Sequence, residues 1–167
     1  MAKENEGLAD GSKVDNTNQV PLFFGMALFL SCLPVYLYVN VYNLTIEEFG
    51  IVYLPVTVLS SFLLTLSYRT VSNTTFAQLS RSHKAAAANH KKIGLSRGEL
   101  SAVQEQITSR EAMAWSLIFN NTVFILSFLF FAFYALGLLG APYQYSVAMI
   151  ISAATVWQLS SSLYKQA

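Results

Sequence analysis

Three stretches of this sequence contain no Asp, Glu, Lys or Arg: Val20 to Ile46, Phe49 to Tyr68 and Ala112 to Tyr164. About 20 apolar residues at 1.5 Å rise cross a hydrocarbon core of roughly 30 Å. The first two gaps therefore hold one helix each. The third, longer gap holds two, broken at Gly137 to Tyr143, where Gly and Pro mark a turn. With 54% hydrophobic and 11% charged residues, against about 25% charged in an average soluble domain, the chain lacks the charge to cover a soluble surface. The pattern predicts an all-α membrane protein with four transmembrane helices and a cytosolic helical hairpin between helices two and three.

The expected organisation is a disordered cytosolic tail at 1–19, transmembrane helices one and two in 20–68, the hairpin at 69–111, transmembrane helices three and four in 112–164, and a short cytosolic end at 165–167. The tail is polar and lacks the basic leader and short apolar core of a cleaved signal peptide, so span one is expected to serve as an uncleaved membrane signal. Span one, Pro21 to Tyr42, should kink at Pro34, and its tyrosines Tyr36, Tyr38 and Tyr42 gather toward one end, as rings that settle at headgroups do. The one cysteine, Cys32, excludes an intrachain disulfide.

Lys and Arg are retained on the cytosolic side of a membrane, and their positions orient the spans. Lys3 and Lys13 precede span one; Arg69, Arg81, Lys84, Lys91, Lys92, Arg97 and Arg110 lie between spans two and three; Lys165 follows span four. All ten fall on one side if both termini are cytosolic, and the opposite loops carry only Glu47 and Glu48.

Phe76 to His90 is Ala-rich, which predicts that span two continues beyond the membrane as a helix, stopped near Gly94. Ser96 with Glu99 forms a capping box that starts a returning helix to about Gln106, and a second box, Thr108 with Glu111, stands just before span three. Lys91 and Lys92 would protrude at the tip.

An enzyme or ion-coupled transporter needs ionisable groups, and in transport these usually lie inside the membrane, where this chain has none. His83 and His90 have no Cys or carboxylate at ligand spacing and read as a solvated helix face, so neither metal nor cofactor is expected. The intramembrane polar residues are amides and hydroxyls: Asn120, Asn121 and Thr122 in span three, Ser152, Thr155 and Gln158 in span four. Such groups commonly bond between helices, and they are packing candidates. Ala148 and Ser152 would admit another helix closely, either internal or a partner's. Of three Asn-x-Ser/Thr matches, Asn73 is cytosolic, Asn120 is inside a span, and Asn43 faces the lumen so near the membrane that it is expected to be an unmodified turn residue.

Between spans two and three, seven Lys and Arg stand against three Glu. The cluster serves topology alone or docks on a polyanion, either anionic lipid or RNA.

The segments Leu22 to Ala27 (LFFGMA), the Leu33-Pro34 kink and Tyr-rich end, Leu66-Ser67-Tyr68-Arg69, and Ser116 to Phe124 (SLIFNNTVF) resemble the gamma subunit of the translocon-associated protein complex, also called the signal sequence receptor gamma subunit. The resemblance covers most of the chain beyond its first twenty residues. It implies a non-enzymatic, multi-pass subunit of the endoplasmic reticulum membrane that assembles with the alpha, beta and delta subunits beside the Sec protein-conducting channel. It further implies help in translocating and inserting nascent chains, with the cytosolic hairpin touching the ribosome, including ribosomal RNA. Arg69, Arg81, Lys84, Lys91, Lys92, Arg97 and Arg110 become the ribosome-facing candidates. The family hairpin is typically longer and more basic than this one, which carries the uncharged run Ala85 to Asn89. The competing reading is a small four-span transporter or lipid-handling protein, which requires a polar cavity around Asn120, Asn121, Thr155 and Gln158.

Overall fold

A computed structural model describes residues 19–43, 46–89 and 97–166. The expected tail up to Asn18, the tip residues Lys91 and Lys92, the stop at Gly94 and the cap Ser96 lie outside the described residues, as do the side chains of Lys84 and Arg97.

The described residues form four long helices: α1 Val20–Val41, α2 Ile46–Asn89, α3 Arg97–Leu129 and α4 Ala141–Gln166. All four contain stretches long and apolar enough to cross a membrane. They run up and down in turn. Phe23 of α1 meets Tyr68 of α2, Tyr68 meets Asn121 of α3, and Asn120 meets Ser160 of α4. α1 ends at Tyr42, whose backbone N–H bonds Tyr38 O, and Asn43 follows with φ of 52°. Asn tolerates that left-handed conformation better than most residues, which suits it to the turn. α1 runs through the buried Pro34, which withholds one backbone donor from the carbonyl a turn earlier.

α2 is 44 residues long, about 66 Å, roughly twice what the hydrocarbon requires. It packs against all three other helices, and its buried residues accordingly spread widely around its circumference: Tyr53, Thr57, Ser60, Ser61, Leu64, Thr65, Ser67 and Tyr68. α1, at the margin, buries a single stripe, Phe23, Ala27, Leu30, Ser31, Pro34 and Tyr38. The stripe has helical spacing, and the outer positions Leu22, Phe29 and Tyr36 are exposed, as lipid contact favours.

α3 begins at Arg97, where the Ser96 box expects a helix to start. It then continues without a break through Thr108, so the second box does not begin a new helix. The Thr108 hydroxyl donates to Gln104 O at 2.8 Å instead of capping a terminus. α3 closes in a π-helical turn, Phe130–Ala135, in which Leu136 N–H reaches Phe131 O at 3.0 Å. Such turns leave carbonyls poorly served, and the Gln144 side-chain amide of α4, 2% exposed, donates to Ala132 O.

Candidate functional site

The buried polar groups concentrate where α2, α3 and α4 meet. Ser116 and Asn120 are one turn apart on α3, so they share a face, and both are fully buried. The Ser116 hydroxyl donates to Tyr68 O of α2 at 2.7 Å. Asn120 Nδ2 donates to Ser116 O at 2.9 Å and to Ser116 Oγ at 3.3 Å, while its Oδ1 accepts from Ser160 Oγ of α4 at 3.0 Å. The Tyr68 hydroxyl closes the circuit by donating to Asn121 Oδ1. Three helices are thus joined by neutral groups that bond to one another inside the bundle, the Ser160 hydroxyl sharing its one hydrogen with Val156 O at 2.8 Å. In hydrocarbon, where no water competes, that is the condition for burying an amide at all.

At the opposite end the fixing is aromatic. Tyr53 and Tyr38 each meet Tyr145 edge to face, with ring centroids at 4.7 and 5.4 Å, and Tyr38 also meets Phe128 at 6.3 Å. These geometries bring ring edges onto π faces. The Tyr145 hydroxyl pairs with Thr57 Oγ1 at 2.9 Å; since Thr57 Oγ1 donates to Tyr53 O at 2.7 Å, Tyr145 supplies the proton.

Beyond the apolar stretches, α2 and α3 remain in contact. His83 Nδ1 lies 2.9 Å from Thr108 Oγ1, and because that hydroxyl already donates to Gln104 O, the ring nitrogen is the donor. His83 Nε2 is 3.9 Å from Glu111 Oε2, a pair that is ionic when the ring is protonated. Gln19, just before α1, donates through Nε2 to Ser109 Oγ at 3.2 Å. His83 is therefore half-buried and engaged with α3, which corrects its reading as a solvated face; His90 lies outside the described residues.

Of the packing candidates, the structure joins Asn120 and Asn121 in the polar junction. Ser152 is buried and donates to Ala148 O at 2.6 Å, and Thr155, half-buried, donates to Ile151 O at 2.8 Å, both within α4. Thr122 and Gln158 are exposed on the outside of the bundle. The four residues of a transporter's polar path therefore do not converge: two are consumed in packing and Gln158 points away. Ala148 and Ser152 are both fully buried within this chain, so the helix they admit is internal. Among the basic candidates, Arg69, Arg81 and Arg110 are exposed. Sequence reasoning missed Tyr68, Ser116, Ser160, Thr57, Tyr145 and Gln144. The four-residue spacing of Ser116 and Asn120 was the one signal that could have found any of them. Among the described residues no group of His, Cys, Asp and Glu is placed to hold a metal ion.

The polar junction, the two aromatic-rich and polar ends and the long second helix belong to a chain whose residues 4–162 match the family described as translocon-associated protein, gamma subunit. Among curated proteins it is similar to translocon-associated protein subunit gamma of Dictyostelium discoideum, with 29% identity over 145 residues, covering 84% of this chain and 85% of that protein. With the match running over nearly its whole length, the chain belongs to the translocon-associated protein gamma-subunit family.

Proposed function

We infer that this protein is a structural, non-enzymatic subunit of the translocon-associated complex in the endoplasmic reticulum membrane, where it links the translating ribosome to the Sec channel and assists translocation and membrane insertion of nascent chains. The family match over residues 4–162 carries this reading. The packing is in keeping with it, because the intramembrane amides Asn120 and Asn121 are committed to holding helices together. In this reading both termini and the extensions of α2 and α3 face the cytosol. The exposed Arg69, Arg81 and Arg110, with Lys84, Lys91, Lys92 and Arg97, present positive charge to ribosomal RNA, whose phosphates attract such a cluster. The alpha, beta and delta subunits and the surrounding lipid are its membrane neighbours.

The test is sedimentation of ribosomes from membranes solubilised in mild detergent, at low and high salt, comparing wild type with a chain carrying Lys91→Ala, Lys92→Ala and Arg97→Ala. Salt-sensitive loss of the variant from the ribosome pellet is the expected result. Wild-type chain that sediments with neither ribosome nor channel would overturn the reading.

A further inference from the structure

Three tyrosines from three helices meet at one level of the bundle, Tyr38 of α1 and Tyr53 of α2 each against Tyr145 of α4. Seven residues complete two helical turns to within about 20°, so the residue seven positions from each tyrosine stands on the same face, about 10.5 Å along the axis. Toward the polar junction those residues are Ser31, Ser60 and Ser152. Their common level is fixed from the other side as well. Phe23, eight residues beyond Ser31, meets Tyr68, eight beyond Ser60. Tyr68 in turn shares the polar junction with Ser160, eight residues beyond Ser152.

All three serines are fully buried. Ser152 Oγ gives its hydrogen to Ala148 O at 2.6 Å and keeps a lone pair to offer. Ser31 Oγ and Ser60 Oγ have no hydrogen-bond partner among the described residues. Thr57, Ser61, Thr65 and Thr155, by contrast, all turn back onto the carbonyl one turn earlier. The level lies inside the hydrocarbon, because Ser60 is nine residues deeper than Arg69, about 13 Å. Two buried hydroxyls there are costly unless something bonds them.

The surroundings define what that something is. Helices spaced by three aromatic rings at one level present only three hydroxymethyl groups two turns on, and the Ser31 and Ser60 hydroxyls do not bond each other. The partner must therefore be small. It must accept two hydrogens and donate one. It must also be neutral, since no Asp, Glu, Lys or Arg stands in these stretches to balance a charge.

We propose that Ser31, Ser60 and Ser152 bind a single water molecule in the middle of the membrane, which accepts from the Ser31 and Ser60 hydroxyls and donates to Ser152 Oγ. Three partners are the usual number for a buried water. The water joins α1 to α2 and α4 by hydrogen bonds at a depth where their side chains make none directly. The site belongs to the packing of this chain and goes beyond the functional reading.

The test is a double-mutant cycle on the full-length protein, with Ser31→Ala, Ser60→Ala and the pair, read as the unfolding equilibrium in mixed micelles of mild and denaturing detergent. Each single change should favour unfolding, and the pair should fall short of the product of the two effects by roughly 3- to 18-fold, the range of interhelical hydrogen-bond coupling in membranes. Two outcomes overturn the inference. If the hydroxyls are simply unpaired, each alanine removes a burial cost and the protein becomes more resistant to unfolding. If they turn back onto their own carbonyls, the two effects multiply independently. A second measurement needs no variant to fold: solid-state NMR of the wild-type chain in lipid bilayers should show magnetisation passing from water to the backbone amides of residues 31 and 60. Absence of that transfer would also sink the proposal.

Discussion

At the scale of single residues, Asn120 shows what a membrane interior demands of a polar side chain. It is fully buried, its amide hydrogens go to Ser116 and its carbonyl to Ser160. Removing it leaves both hydroxyls with one partner fewer in a medium that supplies no substitute. Asn120→Ala should therefore lower the stability of the bundle by about 1–3 kcal/mol, measured as unfolding in mixed micelles of mild and denaturing detergent. Ser160→Ala loses the same bond from the other side, so the double variant should fall short of additivity by about 0.6–1.7 kcal/mol, the coupling seen for interhelical bonds. Strict additivity would mean that the two side chains are not paired. The presence of Asn120 in a span was legible in the sequence. Its partners were not, because a serine forty positions away carries no mark of which way its hydroxyl turns.

At the scale of elements, α3 explains how one helix serves several neighbours. Its buried residues recur every fourth position: Thr108, Ala112, Ser116, Asn120, Phe124, Phe128 and Ala132. Four residues turn a helix some 40° past a full circle, so the stripe winds through about 240° from end to end. The helix consequently meets α2 at His83, then α2 and α4 at the polar junction, then α1 at Tyr38 and α4 at Gln144. A stripe so wound requires one uninterrupted helix from the extension into the span, whereas the Thr108–Glu111 box had promised a joint. Capping boxes describe what a threonine can do when a helix begins. Here the hydroxyl is committed to Gln104 O and His83 instead. Spin labels at the exposed positions 103 and 118 should read a single narrow backbone separation of about 22 Å. A broad or bimodal distribution would restore the joint.

At the scale of the whole molecule, the distribution of charge predicts an orientation in the membrane. All ten Lys and Arg fall on one side if the chain enters and leaves from the cytosol. Epitope tags on both termini should accordingly be removed by protease from intact microsomes, while a tag inserted at Gly140 is removed only after the membrane is opened. Treatment with an amide-cleaving glycosidase should leave the mobility of the chain unchanged, since in that orientation Asn43 would be the one luminal sequon, and it sits in the turn directly after α1. A protected terminus would reverse the assignment of every loop.

What the sequence determined by itself is what depends on composition over a window: four apolar runs of spanning length, the turn near Gly140, and the continuation of span two through its Ala-rich stretch. Each follows from the transfer of a segment between water and hydrocarbon, and such a transfer is a property of the segment alone. Tertiary structure decided which side chains meet. It made α2 the shared element of the bundle, brought Tyr68, Ser116, Asn120, Asn121 and Ser160 into one junction, drew His83 onto Thr108, and left Thr122 and Gln158 outside. Those outcomes depend on the rotation of each helix about its axis. In a bilayer, which solvates every apolar face equally well, that rotation is set by packing and by a few hydrogen bonds between residues distant in the chain.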